Sequence, residues 1–219
     1  MNPFAIPTAV TSLLAIYIAG IVYTHHKKTK ANIIFSLFCL SLSFWLIGFT
    51  MMYLSTSAEQ ALVWARIGFS AILFIPILGH HFVTAFLKLN RKRLFTTLYL
   101  IAIPSIFIGW TDLIYKDIHL FFWGYYPRAG RFYILFLFMF FTLFSLNLIE
   151  LQKAIRQSKQ AGDHQLTKQY RYVFFAYLCG TTGVMDYIIK FGYEIYPFGY
   201  ISALLFIFII AYSIIKHQL

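Results

Sequence analysis

Long apolar stretches alternate with short polar connectors along the whole chain. A transmembrane helix needs about 20 mostly apolar residues, and seven stretches meet this requirement. The pattern therefore predicts an all-α, polytopic membrane protein with seven transmembrane helices, called spans 1 to 7. Their predicted bounds are Ile6–Tyr23, Ile33–Leu54, Ala61–Leu87, Leu94–Trp110, Phe132–Leu151, Tyr172–Ile189 and Phe198–Ile215.

The positions of the basic residues predict how the spans are oriented. Most of the 18 lysines and arginines follow spans 1, 3, 5 and 7; they are Lys27, Lys28, Lys30, Lys88, Arg91, Lys92, Arg93, Lys153, Arg156, Lys159, Lys168, Arg171 and Lys216. Basic connectors stay in the cytoplasm. With an odd number of spans, this rule predicts the amino terminus outside and the carboxyl terminus in the cytoplasm.

Composition supports a membrane protein and excludes several other classes. The 219 residues are 60% hydrophobic and only 11% charged, whereas soluble domains carry about 25% charged residues. The net charge of +11 lies in short connectors, so we expect no nucleic-acid partner. Cys39 and Cys179 both lie in apolar stretches. Neighbouring histidines such as His80 and His81 point to different helix faces, so we expect no metal and no cofactor.

The two longest connectors have different characters. The connector from Gln152 to Tyr170 is polar, and we expect it to extend span 5, turn near Ala161-Gly162-Asp163 and return into span 6. The connector from Thr111 to Arg131 is unusually aromatic, which favours packing over the mouth of the bundle or a position among lipid headgroups.

Several short motifs occur in a recognisable order. They are Phe44-Trp45-Leu46-Ile47-Gly48, Trp64-Ala65-Arg66, Ile75-Pro76, Trp123-Gly124-Tyr125-Tyr126-Pro127, Asp186-Tyr187, Tyr196-Pro197-Phe198-Gly199 and the final run from Ile209 to Leu219. In this order and spacing, the chain resembles the amino-terminal seven-helix sensor region of bacterial membrane histidine kinases over essentially its whole length.

The resemblance implies a sensor in the bacterial inner membrane that detects an outside or membrane-borne signal. Span 7 would relay that signal to a cytoplasmic kinase or another output domain, and the sensor would act as a homodimer. Residues 1–219 would form this one domain, without a catalytic role, since they contain no phosphoacceptor histidine box and no glycine-rich ATP lid. Nothing from Ile214 to Leu219 stops a helix, which suits either a natural continuation into a linker helix or a free-standing seven-helix protein.

Charged residues within spans are functional candidates because their burial in a bilayer is costly. Arg66 and Asp186 are both predicted near the outer face, where they would pair with each other, bind a ligand headgroup, or reach the interface. The aromatic connector adds rings and Arg128 and Arg131, which would close a pocket over an amphipathic ligand or form an aromatic belt. The candidate ligand-binding residues are Trp64, Arg66, Trp123, Tyr125, Tyr126, Arg128 and Asp186.

Stripes of small and polar residues allow two interpretations. The stripe in span 6 contains Cys179, Gly183, Asp186 and Lys190, and such stripes either pack against neighbouring helices or line a pocket. An apolar pocket with a basic mouth favours a lipid-like ligand. A small-molecule transporter or channel is the alternative, although the chain lacks the paired broken helices or inverted repeats typical of transporters.

Overall fold

The computed structural model describes residues 2–24 and 29–217, and its helical segments confirm the seven predicted spans. The protein is therefore a multi-pass, predominantly helical membrane protein. The basic motif His25-His26-Lys27-Lys28 and the last two residues, Gln218 and Leu219, lie outside the described residues.

The spans are built from the following elements. They are α1 Ala5–Thr24, α2 Lys30–Leu54, α3 Ala58–Ile72, α4 Phe74–Phe86, α5 Lys92–Gly109, β1 Tyr115–Phe121, β2 Gly124–Ala129, α6 Tyr133–Gln160, α7 His164–Thr181, α8 Met185–Ile188 and α9 Gly199–His217. Span 3 consists of α3 and α4, span 6 of α7, α8 and two flanking 3₁₀ turns, and span 7 of α9.

The second span forms the centre of the bundle. Its α2 helix contacts α1, α3, α4 and α9, and two thirds of its most apolar window is buried inside the protein. In contrast, only 17% of the α5 window is buried, so α5 lies at the periphery and presents most of its side chains to lipid.

Spans 3 and 6 are interrupted, although the sequence predicted each as one helix. In span 3 the interruption falls at Leu73, and Pro76 lies in the first turn of α4, where a missing backbone N–H is tolerated. In span 6 the regular helix ends at Thr181 and continues as a 3₁₀ turn, the single turn α8 and a second 3₁₀ turn that ends before Gly192. The irregular part of span 6 contains both Asp186 and Lys190.

The aromatic connector forms an antiparallel β-hairpin, which the sequence analysis did not predict. Strands β1 and β2 pair Ile118 with Pro127 and His119 with Tyr126, and the turn is at Phe122-Trp123. The hairpin packs against α2, α3 and the second 3₁₀ turn of span 6, as expected for a connector that packs over the bundle. We call this end of the molecule the hairpin end, and the opposite end, which carries most of the described bases, the basic end.

At the basic end, the connector between spans 5 and 6 follows its prediction. Helix α6 extends to Gln160, a tight turn follows with Gly162 at φ +73°, and α7 begins at His164. The side chain of Asp163 accepts a hydrogen bond from the backbone N–H of Leu166 at 2.9 Å, which caps α7.

Candidate functional site

At the hairpin end, a buried lysine lies inside a cage of aromatic rings. The Nζ atom of Lys190 is 4.8 Å from the ring centroid of Tyr126 and 5.5–5.7 Å from those of Tyr187, Phe49 and Tyr133. Ammonium groups are attracted to ring faces within about 6 Å. We call these four rings together with Lys190 the lysine cage; its members come from α2, β2, α6 and the irregular end of span 6.

The hydrogen bonds of the Lys190 ammonium are few and long. Nζ donates to Tyr126 Oη at 3.3 Å and to the backbone carbonyl of Asp186 at 3.4 Å. Although all seven acidic residues of the chain are described, none has a carboxylate oxygen within 4 Å of this ammonium. The lysine side chain is only 2% exposed, so its charge is buried with aromatic faces and two neutral oxygens as its nearest partners.

The carboxylate of Asp186 is directed to a different partner. Its Oδ1 accepts a hydrogen bond of 2.9 Å from the backbone N–H of Gly199, the first residue of α9. A carboxylate at this position satisfies one of the free N–H groups and complements the positive end of the helix dipole. A side chain at position 199 would overlap the Asp186 carboxylate, so the glycine allows this close approach.

Two fully buried hydroxyl groups beside the cage have no hydrogen-bond partner. They belong to Tyr53 at the end of α2 and Tyr133 at the start of α6, which are 3% and 0% exposed. The hydroxyl of Tyr126, in contrast, donates to the backbone carbonyl of Asp186 at 2.9 Å. Burial raises the pKa of Tyr126 well above its ordinary value, helped by the charge of Asp186, so this phenol remains a neutral donor.

The hairpin turn covers the cage from outside. Trp123 is fully buried, stacks on Phe121 with ring centroids 4.4 Å apart, and meets Tyr196 edge to face at 6.0 Å. The amide Nδ2 of Asn2 donates to the backbone carbonyls of Trp123 and Tyr53 at 2.8 and 2.9 Å. Asn2 therefore ties the start of the chain to the hairpin turn and to the end of α2.

A second feature, an apolar cavity of about 100 Å³, lies between the spans on the inner side of the cage. It is partly open, and its wall includes residues of five spans: Phe38, Leu42, Trp45, Ile72, Ile75, Pro76, Gly79, Phe140, Phe144, Asn147, Tyr177, Gly180, Gly183, Tyr187, Gly199, Ser202, Ala203 and Phe206. Tyr187 and Gly199 thus border both the cavity and the cage region.

Several polar groups in or beside the cavity wall have hydrogen-bond partners within the protein. Tyr177 donates to the carbonyl of Gly79 at 2.8 Å, and the Thr182 and Ser202 hydroxyls at one edge are 2.6 Å apart. Asn147 Oδ1 is 2.7 Å from His80 Nδ1. The buried indole N–H of Trp45, in contrast, has no partner among the described residues. The wall as a whole presents mainly apolar surface to any occupant.

The structure separates the residues that the sequence suggested as one site. Arg66 does not pair with Asp186; its Nη2 lies 2.8 Å from Asp112 on the solvent side of the hairpin end. Arg128 is half exposed and contacts His119 at 3.1 Å, with Asp117 at 3.9 Å.

Of the remaining candidates, only Tyr126 joins Asp186. Trp123 lies in the cover over the cage, while Tyr125 and Trp64 are half-buried on β2 and α3 and belong neither to the cage nor to the cavity wall. The basic mouth predicted from Arg66 and Arg128 is therefore spread over the solvent side, and the buried charge of the site is Lys190.

Sequence reasoning placed Lys190 in a stripe with Asp186 but did not propose it as a ligand-binding residue. It also missed Tyr53, Tyr133 and Tyr187. The available signal was the position of a lysine four residues after an aspartate at the end of an apolar span, because both charges then need partners inside the bundle. The two neighbouring histidines have different hydrogen-bond partners, Tyr99 for His81 at 3.1 Å and Asn147 for His80, although both rings lie against Phe95.

Comparison with known protein families gives a match over almost the whole chain. A family model described as the N-terminal 7TM region of histidine kinase matches residues 7–219. Among curated proteins, none matches the chain.

Proposed function

Since the chain belongs to the family of N-terminal seven-helix regions of histidine kinases, we propose that it senses a lipid-like ligand in the cavity between its spans. On this proposal the ligand enters from the bilayer or the outside, and α9 passes the signal to a cytoplasmic output. The family supports a kinase as that output. We further propose a homodimer as the working unit and the bacterial inner membrane as the location.

The apolar cavity is the observation that carries this proposal. A dry cavity of about 150 Å³ lined by aliphatic and aromatic side chains is sufficient to bind a benzene-sized molecule. The present cavity of about 100 Å³ is smaller and suits a narrower alkyl segment. Since it is partly open, we propose that it holds one segment of an alkyl chain while the rest extends out of the cavity.

The position of α9 supports its role in the relay. Four residues of α9, namely Gly199, Ser202, Ala203 and Phe206, form part of the cavity wall. The same helix is held to span 6 by the Asp186–Gly199 and Thr182–Ser202 contacts. A ligand can shift a conformational balance only through different affinities for the two states, and an occupant in contact with both elements meets that condition if they move relative to each other.

The orientation of the bundle follows from its charges. Most of the described lysines and arginines lie at the basic end, which the positive-inside rule assigns to the cytoplasm. Helix α9 ends there, on the side where a kinase domain would follow, and the cage would then lie near the outer face.

A cavity-filling substitution tests whether the cavity binds apolar molecules. The purified chain in lipid nanodiscs would be titrated with 1-octanol, and its thermal unfolding followed. For the unsubstituted chain, a ligand at 100 times its Kd raises the stability by about 2.7 kcal/mol. The substitution Ala203→Phe places a phenyl ring in the cavity and should abolish this rise.

The matched control is Leu205→Phe, two residues along α9 on its exposed face, where Leu205 is 49% exposed. This variant adds a similar ring outside the cavity and should keep the response to octanol. The cavity proposal is rejected if octanol stabilises the Ala203→Phe and Leu205→Phe variants equally, or if it has no effect on the unsubstituted chain.

A further inference from the structure

The lysine cage combines a buried charge with more hydrogen-bond donors than acceptors. The Lys190 ammonium has three N–H donors and two long hydrogen bonds to neutral oxygens. The hydroxyl of the cage member Tyr133 adds a buried donor that has no partner, and the hydroxyl of Tyr53, whose ring packs against Phe49, is a second one beside the cage. Buried charges in proteins are normally paired, so the arrangement is suited to an acceptor that carries negative charge.

Asp186 does not supply that acceptor, although it lies only four residues from Lys190. Its carboxylate caps α9 through Gly199, and the positive end of the α9 dipole compensates its charge. The ammonium faces the rings of Phe49, Tyr126 and Tyr133. The Asp186 carboxylate is close enough to interact with it electrostatically, but no salt bridge joins the two groups, so the ammonium has no hydrogen-bonded anion.

The cage and the cavity share a wall. Tyr187 lines the cavity, and its ring centroid is 5.5 Å from the Lys190 ammonium. A molecule whose tail fills the cavity would have its polar end next to this ring. Among the described residues of the cavity wall, Tyr187 is the only one that also belongs to the lysine cage.

We propose that the lysine cage binds the anionic headgroup of an amphipathic ligand whose tail lies in the adjacent cavity, with Lys190 and the Tyr133 hydroxyl as its main donors. This inference rests on the proposed function, because it takes the cavity as the site of the tail. A carboxylate is the headgroup chemistry that fits, since its two oxygens accept from the ammonium and from a phenol at once. Since the Tyr187 ring lies between the cavity and the ammonium, the proposal requires this ring to rotate when the headgroup binds.

Three amphiphiles with the same tail and different headgroups test the inference. Sodium octanoate, 1-octanol and octyltrimethylammonium would be titrated into the whole 219-residue chain in nanodiscs, with binding measured by calorimetry. A hydrogen bond to a charged group is worth enough to change affinity about tenfold. We therefore expect octanoate to bind at least about tenfold more tightly than octanol, and the cation to bind most weakly.

The substitution Lys190→Met keeps the length of the side chain and removes the charge. It should weaken octanoate binding about tenfold and leave octanol binding unchanged. The control Lys116→Met removes an exposed lysine of β1 and should change neither. If the Lys190→Met protein does not fold, Tyr133→Phe removes a single hydroxyl from the cage, and it should selectively weaken octanoate binding.

The outcomes separate this inference from the proposed function. Equal binding of octanoate and octanol to the unsubstituted chain would overturn the headgroup site and leave the cavity proposal standing. Unchanged octanoate affinity in both Lys190→Met and Tyr133→Phe would have the same meaning. Binding of none of the three amphiphiles would overturn both proposals.

Discussion

The contact between Asp186 and the start of α9 is the structural link on which the proposed relay depends. Asp186 Oδ1 accepts from the backbone N–H of Gly199 at 2.9 Å, in a site where Asp186 is 4% exposed. Replacement of Asp186 by alanine removes both the hydrogen bond and the negative charge. Replacement by asparagine keeps an acceptor and removes only the charge.

The expected magnitude follows from the two lost interactions. Removal of a capping side chain costs about 1 kcal/mol, and loss of a negative charge from a buried helix N-terminus costs about 1 kcal/mol more. The Asp186→Ala substitution should therefore favour opening of the first turn of α9 by about 2 kcal/mol, which is a change of roughly 30-fold in the opening equilibrium. For Asp186→Asn we expect about 1 kcal/mol, or roughly fivefold.

Hydrogen exchange measured by mass spectrometry reports this opening directly. Peptides that cover the first turn of α9 should exchange faster in Asp186→Ala than in Asp186→Asn, and faster in both than in the unsubstituted protein. The control Asp163→Ala removes a comparable cap from α7 at the basic end. It should accelerate exchange at the start of α7 and leave α9 unchanged.

Two results would refute the reasoning. If exchange at the start of α9 in Asp186→Ala stays within about twofold of the unsubstituted protein, well under the roughly fivefold that 1 kcal/mol implies, the carboxylate does not hold this helix. If Asp163→Ala accelerates α9 to the same extent, the effect is a general loss of stability rather than the loss of a specific contact.

Three further predictions concern packing, surface charge and orientation. A Cβ atom on Gly48 would lie 2.8 Å from a backbone atom of α3, so Gly48→Ala should lower thermal stability by about 1–3 kcal/mol. The control Gly20→Ala should not lower it, because a Cβ atom there meets nothing within 4 Å. Equal losses of stability in the two variants would contradict this prediction. Arg66→Gln should cost no more than about 1 kcal/mol in thermal unfolding, because its partner Asp112 is 79% exposed and exposed ion pairs are weak; a larger loss would assign Arg66 another partner. Reporter fusions at 88–93 should report a cytoplasmic location, and a periplasmic signal would reverse the orientation.

The spans could be predicted from sequence because the bilayer imposes a length and a composition on each of them. The turn between α6 and α7 was equally accessible, since Gly162 supplies the left-handed backbone conformation and Asp163 the cap. In both cases the determining interactions are local, within one helix or one turn.

The hairpin and the cage could not be predicted because the interactions that determine them are not local in the sequence or lack a recognisable local signal. The hairpin turn contains Phe122-Trp123 instead of the glycine or asparagine pair that signals a two-residue turn. Because the connector has aromatic residues at successive positions, it does not show the alternation of apolar and polar residues that is typical of a strand. The cage joins rings from elements that are far apart in sequence, such as Phe49 and Tyr187. Which partner a charge within a span selects depends on that tertiary arrangement, as the pairing of Arg66 with the exposed Asp112 shows.

The separation of Asp186 from Lys190 connects the two proposals. The residues are four positions apart, a spacing that places side chains on the same face of a helix, so a direct ion pair is the obvious alternative to the observed arrangement. While the carboxylate caps α9, it interacts with the ammonium electrostatically but without a salt bridge, and an anionic headgroup in the cage would stabilise this state. A direct pair with Lys190 would instead compete with Gly199 for the same carboxylate. A ligand that binds Lys190 would therefore strengthen the hold of Asp186 on α9 without contacting that hydrogen bond, which is the kind of differential affinity that a signal requires.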